Sequence, residues 1–440
     1  MLRQTKVLTA RVHRLAPAVL GASVLALLAV TAPPAAAAAG NLDPSFGTNG
    51  VVTVVSDSSG TAVAAPSAML VQPDGKILVV DGSEILRFTP GGSLDPGFGN
   101  GGRVATPLDG DVSLGAGAAL QPDGKIVVAG RIAVGPEQTD VLVMRLNPDG
   151  SPDRSFGSNG QVVTDPTGTA PAARLGSFGD AVIVQSDGKI LVGGWAARCA
   201  GRSCSVLNAA LLRYNSNGSP DPGFGNGGIV LGEPDATFAT VGENSAGEIF
   251  ALDANGGISE FSAGGAARPS ADATSITVAS QAGGGNGTDN RPIFLPDGRY
   301  VVAQGANDAA GGPRDGDVKL ARFLGTGAVD TSFSNPAFNY GAEPSNRQSD
   351  QGFGLALQPD GKVVVVGTVN SGNGGVGIAR VTTNGSLDSG FGNGGTIVDT
   401  AQPGTEATVA AIQPDGKILV AESQLVSNTV NLILARYLAS

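Results

Sequence analysis

The sequence predicts an all-β fold: a seven-bladed β-propeller with four antiparallel strands per blade and the N-terminal strand closing the last blade. Three observations carry this. A turn motif returns along the chain at intervals of one blade. The composition, 68 Gly and 27 Pro among 440 residues with 41% apolar, is too rich in turns for a helix bundle and too apolar for disorder. The first and last repeats are incomplete in complementary ways.

The chain opens with an export signal over residues 1–40. Arg3, Lys6, Arg11 and Arg14 form a basic start, residues 15–30 form an apolar run, and small residues follow Pro33 and Pro34. Cleavage is expected between about Ala36 and Gly40. No later segment has the 18 or so consecutive apolar residues of a membrane span, so the mature protein is expected to be secreted, without a membrane span. Residues 41–440 then form one domain. Its 23 basic residues face 38 acidic ones, which argues against nucleic acid as a partner. The only histidine, His13, leaves with the signal. Serine–histidine and cysteine–histidine catalysis and histidine metal sites are excluded with it.

Three segments recur in fixed order. The first reads QPDGKILVV from Gln72, QPDGKIVVAG from Gln121, QSDGKILVGG from Gln185, LPDGRYVVAQG from Leu295, QPDGKVVVVG from Gln358 and QPDGKILVA from Gln413. The second reads ILRFTPGGS from Ile85, VMRLNPDGS from Val143, LLRYNSNGS from Leu211 and IARVTTNGS from Ile378. The third reads LDPSFGTNG from Leu42, LDPGFGNGG from Leu94, PDRSFGSNG from Pro152, PDPGFGNGG from Pro220 and LDSGFGNGG from Leu387. The turn aspartates Asp74, Asp123, Asp187, Asp297, Asp360 and Asp415 are 49, 64, 110, 63 and 55 residues apart. The long gap holds a degenerate fourth copy, with SAGEIFALD from Ser245 and ISEFSAGG from Ile258. That gives seven repeats.

Within a repeat, one strand precedes PDG. The PDG turn follows, with Pro fixing φ and Gly taking φ > 0. KILVV, apolar without alternation, suits a strand packed on both faces. ILRF makes a third strand, and the FG corner leads to a fourth such as residues 51–55. The chain starts with fourth-strand sequence and stops after a third strand, so the first strand can complete the last blade.

These elements resemble the delta-60 repeat, an uncharacterised bacterial β-propeller repeat family, over residues 42–440. The resemblance implies the fold and brings no reaction. The fourth copy departs from it, with Glu248 and Glu260 where other copies carry Lys and Arg.

The repeated Lys, Arg and Asp positions read as structure, since one active site needs no copy in nearly every repeat. Single-copy residues are the candidates for function. Cys199 and Cys204, five positions apart in an exported chain, suggest a disulfide worth roughly 2 kcal/mol to its loop. Trp195, the only Trp, stands near Arg198 and Arg202 and is a candidate ligand-binding loop. Asp308, Asp315 and Asp317 are the candidate metal ligands, with calcium the ion that suits them. No other cofactor is expected and no catalytic residue stands out.

Strand connectivity puts the PDG and FG turns on one face and the variable loops on the other. Those loops, around residues 131–140, 165–179, 195–208, 305–317 and 335–352, are where binding is expected. The reading is of an exported, monomeric, non-catalytic binding or scaffold propeller for a protein or a cell-envelope glycan. A carboxylate-based glycosidase or lyase with acids at the channel mouth, or a calcium-dependent adhesion module, are the alternatives.

Overall fold

The computed structural model describes residues 38–439 except 56–65, 83, 106–111, 136–137, 168–173, 201–202, 235, 245, 254–257, 269–291, 306–317, 342–350, 370–374, 401–404 and 427–428. These residues form β-strands joined by turns. Strand β1 (Val51–Val54) stands apart in sequence from the sheet it joins. Strands β2 (Ala68–Val71), β3 (Ile77–Val80), β4 (Glu84–Phe88) and β5 (Arg103–Ala105) form the first four-stranded sheet.

The second repeat supplies β6 (Val112–Leu120), β7 (Ile126–Gly135), β8 (Gln138–Leu146) and β9 (Gln161–Thr164). The third supplies β10 (Arg174–Val184), β11 (Ile190–Ala200), β12 (Ser203–Tyr214) and β13 (Ile229–Pro234). The degenerate fourth repeat contributes β14 (Phe238–Glu243), β15 (Ile249–Asp253), β16 (Ile258–Phe261) and β17 (Ala267–Arg268). Next come β18 (Ile293–Phe294), β19 (Tyr300–Gly305), β20 (Val318–Phe323) and β21 (Ala337–Phe338). They are followed by β22 (Gln351–Leu357), β23 (Val363–Val369), β24 (Gly375–Val381) and β25 (Thr396–Asp399). Last are β26 (Thr405–Ile412), β27 (Ile418–Val426) and β28 (Thr429–Tyr437), to whose outer edge β1 adds, Val51 facing Ala435 and Val54 facing Leu432.

The expectation of seven separate blades is corrected. Among the described residues, five four-stranded blades stand as sheets of their own, and the strands of the second and third repeats form one eight-stranded sheet. The cause is length. Strands β7, β8, β10, β11 and β12 run 9 to 12 residues, against 4 or 5 for β2 to β4. The overlong β8 meets β10 in a parallel bridge, Thr139 opposite Gly176. Ser177 seals it: its amide and hydroxyl donate to Thr139 Oγ1 and Thr139 O at 3.3 and 3.1 Å, and Thr139 Oγ1 is 3.2 Å from Ser177 O. Repeats counted in sequence need not remain separate sheets once their hairpins outgrow them.

Second strands are buried on both faces: Ile77 to Val80 are at most 2% exposed, and Val363 to Val366 likewise. This explains their unbroken apolar run. The seams between neighbouring sheets are fastened by the repeated arginines. Arg145 places its guanidinium 4.6 Å above the Phe156 ring and pairs Nε with Asp153 Oδ2 at 2.7 Å. Its Nη1 donates to Ser216 O in the next repeat. Arg87, Arg213, Arg322, Arg380 and Arg436 repeat the pattern, donating to the carbonyls of Pro148, Ala263, Thr383, Ala439 and Pro90. The last of these links joins the seventh repeat to the first. Phe46, Phe98, Phe156, Phe224 and Phe391 are fully buried under their arginines. The repeated lysines complete the set, Lys125 bridging Asp123 and Asp153 at 3.3 and 3.4 Å.

Candidate functional site

With the repeated charges engaged in the seams, single-copy side chains are left to form a site. They gather where the long hairpins of the eight-stranded sheet project, at the end opposite the PDG turns. Phe178 on β10 lies directly across from Trp195 on β11. Their rings are 6.5 Å apart and tilted by 38°. Arg131 on β7 sets its guanidinium 5.4 Å above Phe178. Gly176 lies beside the indole, and a Cβ there would meet Trp195 Cζ3 at 3.6 Å, an ordinary contact. Trp195 is half-buried, so the three elements form a cation–aromatic shelf with part of the indole open to solvent.

An acidic pair stands on the same sheet. Asp140 on β8 faces Ile132 across the ladder, and its Oδ1 is buried without a hydrogen-bond partner. Burial, and then the Asp165 carboxylate, raise the Asp140 carboxyl above the usual range. Asp165, just past β9, accepts from the Thr167 amide and hydroxyl at 2.8 and 2.7 Å. The pair lies on the third strand and beyond the fourth, not on the first strands, which adjoin one another from sheet to sheet.

Of the residues singled out in sequence, Trp195 sits in the shelf. Cys199 and Cys204 are registered directly opposite each other on β11 and β12; their side chains, and that of Arg198, lie outside the described residues. Arg202, Asp308, Asp315 and Asp317 also lie outside them. Among the described residues no group of three or more His, Cys, Asp or Glu is placed to hold a metal ion, and no helix is long and apolar enough to cross a membrane. Arg131, Asp140, Asp165 and Phe178 fall within the loops expected to bind, at 131–140 and 165–179, but sequence reasoning singled out none of them. Their signal was weak: each is a single-copy residue in a stretch the repeats do not share.

Comparison with known proteins bears on the fold. Residues 72–98, 121–156, 185–224 and 358–391 match a family described as a domain of unknown function, DUF5122, beta-propeller. The chain is a β-propeller. No curated relative matches the sequence. Among solved structures, the propeller is similar to a protein of unknown function from Bacteroides caccae at 13% identity, covering 78% of this chain and 97% of that one, TM-score 0.40. A second, of unknown function from Dyadobacter fermentans, is 12% identical over 74% and 94% of the two chains, TM-score 0.43. A third, YCF48 bound to D1 peptide, is 15% identical over 92% and 100%, TM-score 0.45.

Proposed function

We propose that the propeller is an exported, monomeric binding module without catalytic activity, engaging a protein or a cell-envelope glycan through the hairpin wall of its second and third repeats. One observation carries the reading. The repeated charges are used up in the seams, and the shelf of Arg131, Phe178 and Trp195 is built from single-copy residues. A flat ring with a cation beside it suits the apolar face of a sugar or an aromatic side chain. A disulfide between Cys199 and Cys204 would staple the hairpin that carries Trp195; directly opposed antiparallel residues are about 4.5–5.5 Å apart at Cα, inside disulfide range.

Trp195 is the only tryptophan, so its fluorescence reports on the shelf alone. Titration with solubilised cell-wall glycan should shift its emission, and Arg131→Ala should weaken the affinity at least tenfold. Unchanged emission and unchanged retention on the glycan by Arg131→Ala would refute the shelf for that ligand class. Asp140 and Asp165 support the catalytic alternative. Hydrolysis of the same glycan, lost in Asp140→Asn, would favour it.

A further inference from the structure

The seams show what an arginine stacked on a phenylalanine takes at its edge. Six seam arginines lie 4.4 to 4.6 Å above a phenylalanine ring. Each also meets an aspartate carboxylate at 2.7 to 2.9 Å. Stacking occupies the face of the guanidinium and leaves the N–H donors around its edge for a carboxylate. Arg131 repeats the first half of this arrangement, 5.4 Å above the Phe178 ring. The second half is missing. Arg131 is exposed, and among the described residues its guanidinium makes no hydrogen bond and no ion pair.

Asp140 does not supply the carboxylate. On β8, Val141 stands opposite Arg131 and Thr139 opposite Ala133, whereas Asp140 stands opposite Ile132. Alternation along the strand therefore turns Asp140 to the other face of the sheet from Arg131. Beside the cation lies a ring with room. Trp195 is half-buried, its ring 6.5 Å from that of Phe178. Part of the indole is thus open to a flat apolar surface next to the free edge of Arg131.

The surroundings suit a sugar better than an extended peptide. A peptide laid along a sheet needs unpaired main-chain groups at a strand edge. The strands that carry Arg131 and Trp195 are interior ones: β7 lies between β6 and β8, and β11 between β10 and β12. Strand β10 is bridged to β8 at Gly176. A sugar ring asks for no main-chain partner, only a flat face for its C–H groups and a cation for its charge.

We propose that the shelf takes an acidic sugar, a hexuronate unit of a glycan, with its carboxylate at the edge of Arg131 and the C–H face of its ring on Trp195. The proposal rests on the shelf reading above and names the chemistry of its ligand. Residues 41–440 carry 23 basic and 38 acidic side chains. No broad positive field gathers an anion, so selectivity comes from this one contact.

The test follows Trp195 emission in the full chain as four probes are added: an oligogalacturonate, its methyl ester, solubilised cell-wall glycan and poly-glutamate. The ester keeps the sugar ring and removes the charge, so the central comparison needs no variant. Binding of the acid tighter than its ester by about tenfold or more, with Arg131→Gln bringing the two level, supports the proposal. An unchanged urea midpoint shows that the variant folds. Equal binding of acid and ester, or a response to cell-wall glycan with none to the oligogalacturonate, overturns the proposal and leaves the glycan shelf standing. An acid preference that survives Arg131→Gln overturns the role of Arg131. Poly-glutamate bound as tightly as the oligogalacturonate overturns the sugar and gives the site to acidic peptides. Unchanged emission with every glycan overturns both the proposal and the shelf.

Discussion

Replacing Glu422 with glutamine is expected to stabilise the propeller at pH 8 and to leave it nearly unchanged at pH 4.5. Glu422 on β27 is 2% exposed. Burial, and then the Asp399 carboxylate, push its carboxyl up to about 8, against a smaller opposing effect of a hydrogen bond with Thr405. Tyr437 Oη donates to Asp399 Oδ2 at 2.7 Å, fixing that negative charge in the seam between β25 and β28. The native state therefore keeps a proton that the unfolded chain loses near pH 4.5. Between about pH 4.5 and 8 the native state binds one proton more, so stability falls by about 1.4 kcal/mol per pH unit, on the order of 5 kcal/mol across the window. Glutamine keeps the shape of the protonated acid and removes the titration. Urea unfolding of both proteins at pH 4.5, 6 and 8 reads the effect. Midpoints that separate progressively above pH 5, with the variant higher, are expected. Parallel curves would refute the placement of Glu422 as a protonated acid beside a carboxylate.

At low pH the sign reverses. Burial opposes ionisation of Asp43 and Asp153, but hydrogen bonds from Ser45 and Ser155 and the nearby basic side chains outweigh it and hold both carboxyls down at about 2. Stability from these groups is present above about pH 4 and is lost as pH falls toward 2, which a urea series from pH 5 to 2 checks. In the fourth repeat Glu260 stands where other repeats have the seam arginine, and its Oε1 is buried without a partner. Glu260→Arg should supply the missing donor to the turn at residues 324–327 and raise stability by about 1 kcal/mol; a lower urea midpoint would refute this. At Gly194, a Cβ would overlap the Phe178 carbonyl oxygen. Gly194→Ala is expected to cost several kcal/mol in the same assay and to alter Trp195 emission. Thiol alkylation of the native protein, prepared under oxidising conditions, should leave Cys199 and Cys204 unmodified until a reductant is added, and immediate modification of both would exclude the bridge.

Much of the propeller is written in the repeats because they are mostly scaffold. The PDG turns and the buried second strands recur at each copy for the same backbone reasons, as do the Arg–Phe–Asp seams. The merging of the second and third repeats was not legible, because it depends on how far β8 and β10 run, and strand length leaves no periodic trace. Glu422 could have been found: it lies nine residues after the Gln that opens its PDG segment, where Gly130, Gly194 and Gly367 stand in other repeats. An acid at a position that is glycine in three other repeats signals a buried carboxyl, as does Asp81 at the same place in the first repeat. Of the shelf, Trp195 alone was legible as a residue; Arg131 and Phe178 were legible only as parts of loops expected to bind. Its other two members, Arg131 and Phe178, come from separate strands that the ladder brings together.

The account divides the molecule into repeated residues that hold the sheets and single-copy residues that meet a partner. Hydrogen exchange read by mass spectrometry, with and without solubilised cell-wall glycan, tests that division most directly. Added protection confined to residues 126–146 and 174–214 is the predicted result. Protection centred on the PDG turns at residues 72–76, 121–125 and 358–362, with none on the hairpins, would contradict it.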